Sequence, residues 1–172
     1  MKGKFIAVVV AAIFSVVLAG SALAVSAWAV QPLQPALAIQ ELFSPLQCPA
    51  PKYGSGFSRA MEIAGPDYAR LLVSGTASIH PDGNSAFLED VDRQIVLTMD
   101  VVRAILDQRQ MSFADVTRAT AYFKRASQAP ALARWCAGEG IKPFPVVLTE
   151  ASVCRDELLF EIELDAMVAR GK

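Results

Sequence analysis

An uncharged, strongly apolar run near the N-terminus limits most what this chain can fold into. Residues 5–30 contain 22 apolar residues in 26, Lys2 and Lys4 precede them, and the next charge is Glu41. As a helix, the run would be about 39 Å long, enough to cross a hydrocarbon core of about 30 Å. A run of this kind enters a membrane or is removed, so it is not part of a folded domain in water.

Two interpretations of residues 1–30 remain open. A basic start, an apolar core and the small-residue patterns Ala22-Leu23-Ala24 and Ala27-Trp28-Ala29 are typical of a cleaved signal peptide. An uncleaved membrane anchor has the same length and charge pattern. In both cases the basic flank stays in the cytosol. We therefore expect an exported domain, periplasmic or extracellular, or an anchored one outside the cytosol whose only membrane contact is this segment.

The rest of the chain has the composition of one globular domain. The full sequence is 53% apolar, and without the N-terminal run the fraction is about 47%, which is ordinary. Five prolines between Pro32 and Pro51 predict an extended linker over residues 31–52. The domain is then expected at residues 53–170.

Charge and metal-ligand content exclude several classes of function. The net charge is −1 and no basic cluster is present, so we predict no nucleic-acid partner. One histidine and three cysteines without a CxxC pair predict no metal site. No cofactor-binding motif is apparent either, and none is expected. A small-molecule ligand is the partner that remains.

Alternating and helical patterns follow one another along the domain. Apolar residues at 3–4 residue spacing predict a helix over Asp90 to Gln110 and a second over about residues 129–137. Strand patterns cover residues 57–63, 70–76, 116–123, 145–151 and 157–166. The predicted class is α+β: a β-β-α-β-α-β-β sandwich with two helices on one face of one sheet.

Four short motifs in this order resemble the Rid family (RidA/YjgF, endoribonuclease L-PSP-like). Residues 54–60 (GSGFSRA) are similar to the family's GPYSQA, and residues 73–76 (VSGT) to its VSGQ strand. Residues 90–94 (DVDRQ) resemble DIEAQ, and residues 160–163 (FEIE) resemble the terminal VEIE. The resemblance covers about residues 52–168. It implies a chorismate-mutase-like fold and a homotrimer with clefts between subunits.

The resemblance also implies a hydrolytic reaction, but this chain lacks one of the residues that the family uses for it. Deaminases of the family hydrolyse enamines and imines, with a glutamate on the last strand that positions water. Glu161 occupies that position here. An arginine on the family's penultimate strand binds the substrate carboxylate, but Val146 or Val147 takes its place in this chain. Because valine offers no donor, the usual 2-iminoacid activity is not expected.

The chorismatases, which share the Rid fold, provide a second resemblance. Residues 73–79 (VSGTASI) and 154–163 (CRDELLFEIE) are similar to their VSGTASI and CRxDLLxEIE segments. In those enzymes a cysteine and a glutamate of the last segment lie at the chorismate ether. A chorismatase is about twice as long as this chain and has a second domain over its site.

Glu161 is the predicted catalytic residue. Glu161 and Glu163 lie two apart on a strand and therefore face the same side, which is costly if both are buried without partners. A cleft or a subunit interface accommodates them. Glu161 is expected to activate water; the alternative is that both glutamates form salt bridges across a trimer contact.

Six further residues are predicted to bind the substrate, each with a structural alternative. They are Ser74, Gly75, Thr76, Arg59, Cys154 and Arg155. Residues 74–76 would offer backbone and hydroxyl donors to an anion, or only bend the strand at the glycine. Either arginine would replace the missing one, or form a surface ion pair. The thiol would line the site, or act as a small buried hydrophobe.

Two functional hypotheses follow. The first is a trimeric hydrolase, similar to a deaminase, that acts on an imine, an enamine or a similar unsaturated metabolite. The second is a trimer of the same fold that binds a small ligand without chemistry. A chorismatase-like hydrolase is a variant of the first.

Overall fold

The computed structural model describes residues 37–170. The predicted signal peptide or anchor, residues 1–30, and the start of the predicted linker lie outside these residues. Within residues 37–170, no helix combines the length and the apolarity needed to cross a bilayer. The elements are β1 (Ala38–Leu42), β2 (Ala60–Ala64), β3 (Tyr68–Ala77), α1 (Val91–Asp107), β4 (Val116–Phe123), α2 (Pro130–Gly138), β5 (Val147–Glu150) and β6 (Phe160–Ala169).

The strands form one six-stranded sheet in the order β1-β2-β3-β6-β4-β5. Neighbouring strands run antiparallel except β4 and β5, which are parallel. The long strands β3 and β6 lie side by side at its centre. The predicted α+β class, with one sheet and two helices, is confirmed, and a further strand, β1, is added at the N-terminal edge.

Both helices pack on the same face of the sheet. Their apolar side chains join alternate residues of β3, β4 and β6 in one core; its members include Leu71, Val73, Ile95, Leu106, Ala121, Leu132, Trp135, Phe160 and Ile162. The α1 helix begins after Asp90, whose carboxylate accepts the backbone N–H of Arg93. Burial of this one face provides most of the free energy of folding.

The opposite face of the sheet is open. It carries exposed apolar side chains at Ile39, Val147 and Met167, which are 65%, 63% and 45% exposed. At its centre the Asp165 carboxylate is buried and accepts from the guanidinium groups of Arg70 at 2.7 Å and Arg118 at 3.1 Å. These two hydrogen bonds outweigh burial and hold the pKa of Asp165 below its usual range.

The predicted linker is wrong over residues 38–52. Strand β1 pairs with β2, from Ala38 opposite Ala64 to Leu42 opposite Ala60. The buried Gln47 then donates to the carbonyls of Ala77 and Ile79. The prolines at 45, 49 and 51 lie after the strand, in turns and in a short 3₁₀ helix over Ala50–Tyr53. A missing N–H costs nothing at such positions.

Other boundaries differ by a few residues. The first predicted strand began at Phe57, but β2 begins at Ala60, and the Phe57 ring lies 5.1 Å from the Arg59 guanidinium carbon. The last strand, predicted over 157–166, runs from Phe160 to Ala169. The predicted strand over 116–123 is confirmed residue by residue.

A buried carboxylate joins three distant parts of the chain. The side chain of Glu62 in β2 is only 7% exposed and accepts from Arg109 Nε at 2.7 Å and Arg170 Nη2 at 3.2 Å. Arg109 follows α1, and Arg170 follows β6. These ion pairs therefore hold the segments that follow α1 and β6 close to β2.

We expect Glu62→Gln to lower the free energy of unfolding by about 2 kcal/mol, because it leaves two arginines beside a neutral, buried group. Urea unfolding followed by circular dichroism measures the change. Glu41→Gln is the matched control, because Glu41 is exposed on β1, and its effect is expected to stay within about 0.5 kcal/mol. Equal stability of the two variants would contradict this role of Glu62.

A candidate active site beside Gly75

A cavity of about 490 Å³ lies where the end of β3 meets the start of β6. The segment before β2 and the loop before β6 complete its walls. Its lining residues are Tyr53, Ser55, Gly56, Phe57, Arg59, Ser74, Gly75, Ala77, Ile79, Cys154 and Glu161. Five of the seven residues predicted to form the site therefore lie in one place.

Glu161 lies on β6 between two strands, opposite Ala77 of β3 and Tyr122 of β4. Its side chain makes no ion pair with any residue in the described part of the chain. Burial raises the pKa of this carboxyl group, and the negative charge of Glu163 raises it further. A carboxylate with a raised pKa in a cavity is better suited than an ordinary one to accept and return a proton.

Gly75 makes room for that carboxylate. The register of β3 against β6 shifts between Val73 and Thr76, as in a β-bulge. A Cβ at residue 75 would overlap Oε1 of Glu161 and lie 3.2 Å from its Cδ. Glycine at this position lets the carboxylate lie directly against β3, and a side chain here would displace the end of the Glu161 side chain. The predicted bend of the strand thus lies at a residue that lines the cavity.

The donors of Ser74 and Thr76 are occupied within the protein. The Ser74 N–H donates to Arg59 O at 3.1 Å, and its hydroxyl donates to Ser58 O at 2.7 Å. Thr76 is fully buried, and its hydroxyl donates to Ser74 O. Ser74 lines the cavity with its donors already used, and Thr76 does not line it at all. The predicted anion-binding role of these two residues has no support in this geometry.

Arg59 is buried, so it does not form the surface ion pair that was the alternative to substrate binding. It is 3% exposed, and its Nε and Nη2 donate to Cys48 O at 3.2 and 3.0 Å. Nη2 also donates to the hydroxyl of Tyr53 at 2.7 Å. Within residues 37–170 no carboxylate lies within ion-pair distance of this guanidinium. A buried cation therefore faces the same cavity as Glu161.

Two aromatic residues of the site were missed by sequence reasoning. The Arg59 guanidinium lies 5.4 Å from the ring centroid of Tyr53 and 5.1 Å from that of Phe57. Tyr53 was given no role beyond being the first residue of the predicted domain, and Phe57 was assigned to a strand. Their spacing around a short Gly-Ser-Gly run was the available signal, since such runs form loops that bring side chains together.

Cys154 and Arg155 were both predicted to bind the substrate, but in the loop before β6 they contact different parts of the protein. Cys154 lines the cavity and is exposed, so the small buried hydrophobe is not its role. Desolvation raises the pKa of its thiol, and so does the charge of Glu161, which keeps it protonated near neutral pH. Arg155 instead donates to Gly83 O and to the hydroxyl of Ser85, behind the Tyr53 ring.

A second cavity, of about 290 Å³, lies between α2 and β5. Apolar side chains and the Cys136 thiol line it, and it contains no charged group. Val146 lines this second cavity, whereas Val147 is exposed on the open face of the sheet. The two candidate positions of the family's substrate arginine thus lie outside the cavity that contains Glu161. Residues 37–170 bring no three His, Cys, Asp or Glu side chains together as metal ligands would be.

The fold is similar to that of several solved structures. A chorismatase matches with a TM-score of 0.65 and 24% identity over 75% of this chain, which spans 44% of the chorismatase chain. A Rid family protein of unknown function from Yersinia pestis matches at 0.63 with 21% identity, over 76% of this chain and 100% of that one.

A member of the YjgF/YER057c/UK114 family from Mycobacterium tuberculosis matches at 0.59 with 22% identity, over 76% of this chain and 100% of that one. No protein-family model and no curated protein matches the chain. At these identities the likeness shows the fold, and the chain has the Rid-type, chorismate-mutase-like fold that its motifs predicted.

We expect Gly75→Ala to displace the Glu161 carboxylate, because the new methyl group would occupy the space of Oε1. The pKa of Glu161, measured by NMR of its side-chain carbon, should then move towards the ordinary value as the group turns to solvent. Gly56→Ala is the matched control: it lines the same cavity, and a Cβ there meets no atom within 4 Å. An unchanged Glu161 in Gly75→Ala would show that the close approach is not required.

Proposed function

We propose that this Rid-fold chain hydrolyses a small imine, enamine or similar unsaturated metabolite, with Glu161 as the general base. The observation that carries the proposal is a carboxylate without a cationic partner in the described residues, with a raised pKa, in a cavity it shares with a buried arginine. Structural carboxylates of this protein, Glu62 and Asp165, each have two arginine partners instead.

The proposed reaction requires one group that both accepts and donates a proton. Glu161 takes a proton from water as the oxygen adds to the C=N carbon of a protonated imine. The resulting carbinolamine carries the former water oxygen as a hydroxyl group. Glu161 then returns the proton to the nitrogen, the C–N bond breaks, ammonia leaves, and the hydroxyl proton is released to solvent as the carbonyl forms. A raised pKa suits both directions of this transfer.

The neutral thiol of Cys154 supports hydrolysis by water over attack by sulfur. Its pKa is raised, so little thiolate is present near neutral pH. The thiol lines the cavity together with Glu161. On this proposal it contributes to the shape of the cavity and acts as a weak hydrogen-bond donor.

A chorismatase-like hydrolysis is the second candidate. The cysteine and the glutamate that carry the sequence resemblance both line this cavity. A chorismatase structure is also among the similar folds, although this chain spans less than half of it. Ligand binding without chemistry is the third outcome that an activity test must separate.

We expect Glu161→Gln to lower turnover at least about 100-fold, the usual contribution of a general base. Ammonia release from imino acids generated in situ measures the first activity, and pyruvate release from chorismate measures the second. Glu163→Gln is the matched control on the same face of β6, and it should retain turnover within a few-fold. Full activity of Glu161→Gln would remove the base from the proposal. No turnover of either substrate class by the wild-type protein would favour ligand binding alone.

The pH profiles of the wild-type protein and of Glu163→Gln test the assignment of Glu161 as the general base further. A general base is active when ionised, so the rate should fall as the pH drops through the pKa of Glu161. Because that pKa is raised, the acidic limb should lie above the ordinary value of about 4.3. Removing the charge of Glu163 should lower the pKa and move the limb to lower pH. A limb that moves upward in Glu163→Gln, or does not move, would contradict the assignment.

We also propose the homotrimer that the family resemblance implies, with the open face of the sheet turned towards the other subunits. Its exposed Val147 and Met167 support this arrangement. Light scattering should give three times the polypeptide mass for the wild-type protein and a lower mass for Val147→Glu. Val96→Glu, on the exposed side of α1, should remain trimeric. A monomeric wild-type protein would refute the proposal.

A further inference from the structure

The cavity between α2 and β5 is apolar and lies apart from the candidate active site. Its volume is about 290 Å³, which is roughly twice the 150 Å³ of an apolar cavity that holds benzene. The buried Leu132 and the half-buried Phe144 and Val146 are among its lining residues. None of these lining residues, all of them within 37–170, is charged, and the Cys136 thiol is the one polar side chain among them. The space therefore suits a compact apolar ligand.

Short side chains on α2 leave this space open to solvent. Ala133 and Ala137 lie one turn apart on α2, line the cavity and are exposed, so they mark its mouth. Leu148 of β5 also lines it, on the helix side of the sheet, because its neighbour Val147 is on the open face. The proposed trimer contact uses the open face and therefore leaves this mouth free.

A row of aromatic rings backs one wall of the cavity. Phe144 lines the cavity, and its ring stacks on that of Phe113 with 5.8 Å between centroids and 21° between planes. Phe113 in turn meets Trp135 edge-on, at 5.6 Å and 80°. Because Phe113 and Trp135 are buried, Phe144 is held in place before any ligand arrives. An ordered ring of this kind favours a flat aromatic ligand, through stacked or edge-to-face contact.

The Cys136 thiol adds a soft, uncharged contact. Cys136 is half-buried, and desolvation raises the pKa of its thiol, so the group stays protonated near neutral pH. Neutral sulfur packs favourably against an aromatic ring. A charged ligand would lose its hydration here without gaining a partner, which is costly. The lining thus selects against charge, in contrast to the cavity that contains Glu161.

We propose that the cavity between α2 and β5 is a second binding site, which takes a small, uncharged, bicyclic aromatic molecule. Its volume accommodates two fused rings where roughly 150 Å³ accommodates one. The aromatic wall and the thiol match a flat apolar ring system, and the lack of charge disfavours an ionised ligand. No residue lines both this cavity and that of Glu161, so the inference does not rest on the proposed hydrolysis.

Protection of Cys136 from alkylation tests the site, with quinoline as the uncharged bicyclic ligand. The full-length protein is treated with N-ethylmaleimide in the presence and absence of millimolar quinoline, and mass spectrometry of its peptides gives the rate at each cysteine. Bound quinoline covers the thiol, so alkylation of Cys136 should slow at least about fivefold, given the sub-millimolar Kd expected of a ligand this small. Cys154 is exposed in the other cavity and is the internal control, whose rate should not change.

A charged ligand and a pair of variants complete the design. N-methylquinolinium keeps the ring system but carries a permanent charge, so it should leave Cys136 unprotected. Ala133→Leu places a larger side chain at the mouth of the cavity and should remove the protection by quinoline. Ala104→Leu makes the same change at a half-buried residue of α1 and should retain it. Near-UV circular dichroism shows whether each variant folds.

Several results would overturn the proposal. They are no protection of Cys136 by quinoline, equal protection by N-methylquinolinium, equal protection of Cys154, and protection that persists in a folded Ala133→Leu. A Cys136 that reacts only in the unfolded protein would also overturn it, because the cavity would then be closed to solutes. If Ala133→Leu does not fold, the comparison of the two ligands on the wild-type protein still decides.

Discussion

The close approach of β3 to the Glu161 carboxylate is the constraint on which the site depends. It depends on the absence of a side chain at Gly75, and it lies where the register between the two central strands shifts. The buried Gln94 of α1 helps to set that register: its Oε1 accepts the Leu159 N–H at 2.7 Å, and its Nε2 donates to Glu157 O at 3.0 Å. Because one residue of slip would turn every β6 side chain to the other face, these two hydrogen bonds help to keep Glu161 on the face of the sheet that carries the cavity.

The distribution of ion pairs separates structural carboxylates from the one proposed for catalysis. Glu62 and Asp165 are buried, and each accepts from two arginines. For Asp165 these partners lower the pKa despite its burial. Glu161 is partly buried without a cationic partner among the described residues, and its pKa is raised. Burial alone does not mark a functional carboxylate; burial without a partner does.

Regular alternation made the sheet predictable, and irregular backbone limited the prediction of the site. The strand over 116–123 alternates along its whole length and was predicted residue by residue. Ser74 and Thr76 were both predicted to bind the substrate, and two residues that lie two apart on a regular strand face the same side. The bulge between Val73 and Thr76 breaks this periodicity and turns Thr76 into the core. The partners of Arg59 come from a 3₁₀ helix and a loop, which leave no periodic pattern to read.

The same geometry bears on the arginine missing from β5. Val146 lines a different cavity, and Val147 is exposed on the open face of the sheet, so neither candidate position lines the cavity of Glu161 in this subunit. Arg59, at the start of β2, already lines the cavity. In the proposed reaction, a protonated imine nitrogen that lies towards the Glu161 carboxylate meets an opposite charge, which favours the protonated imine over its neutral form in this cavity.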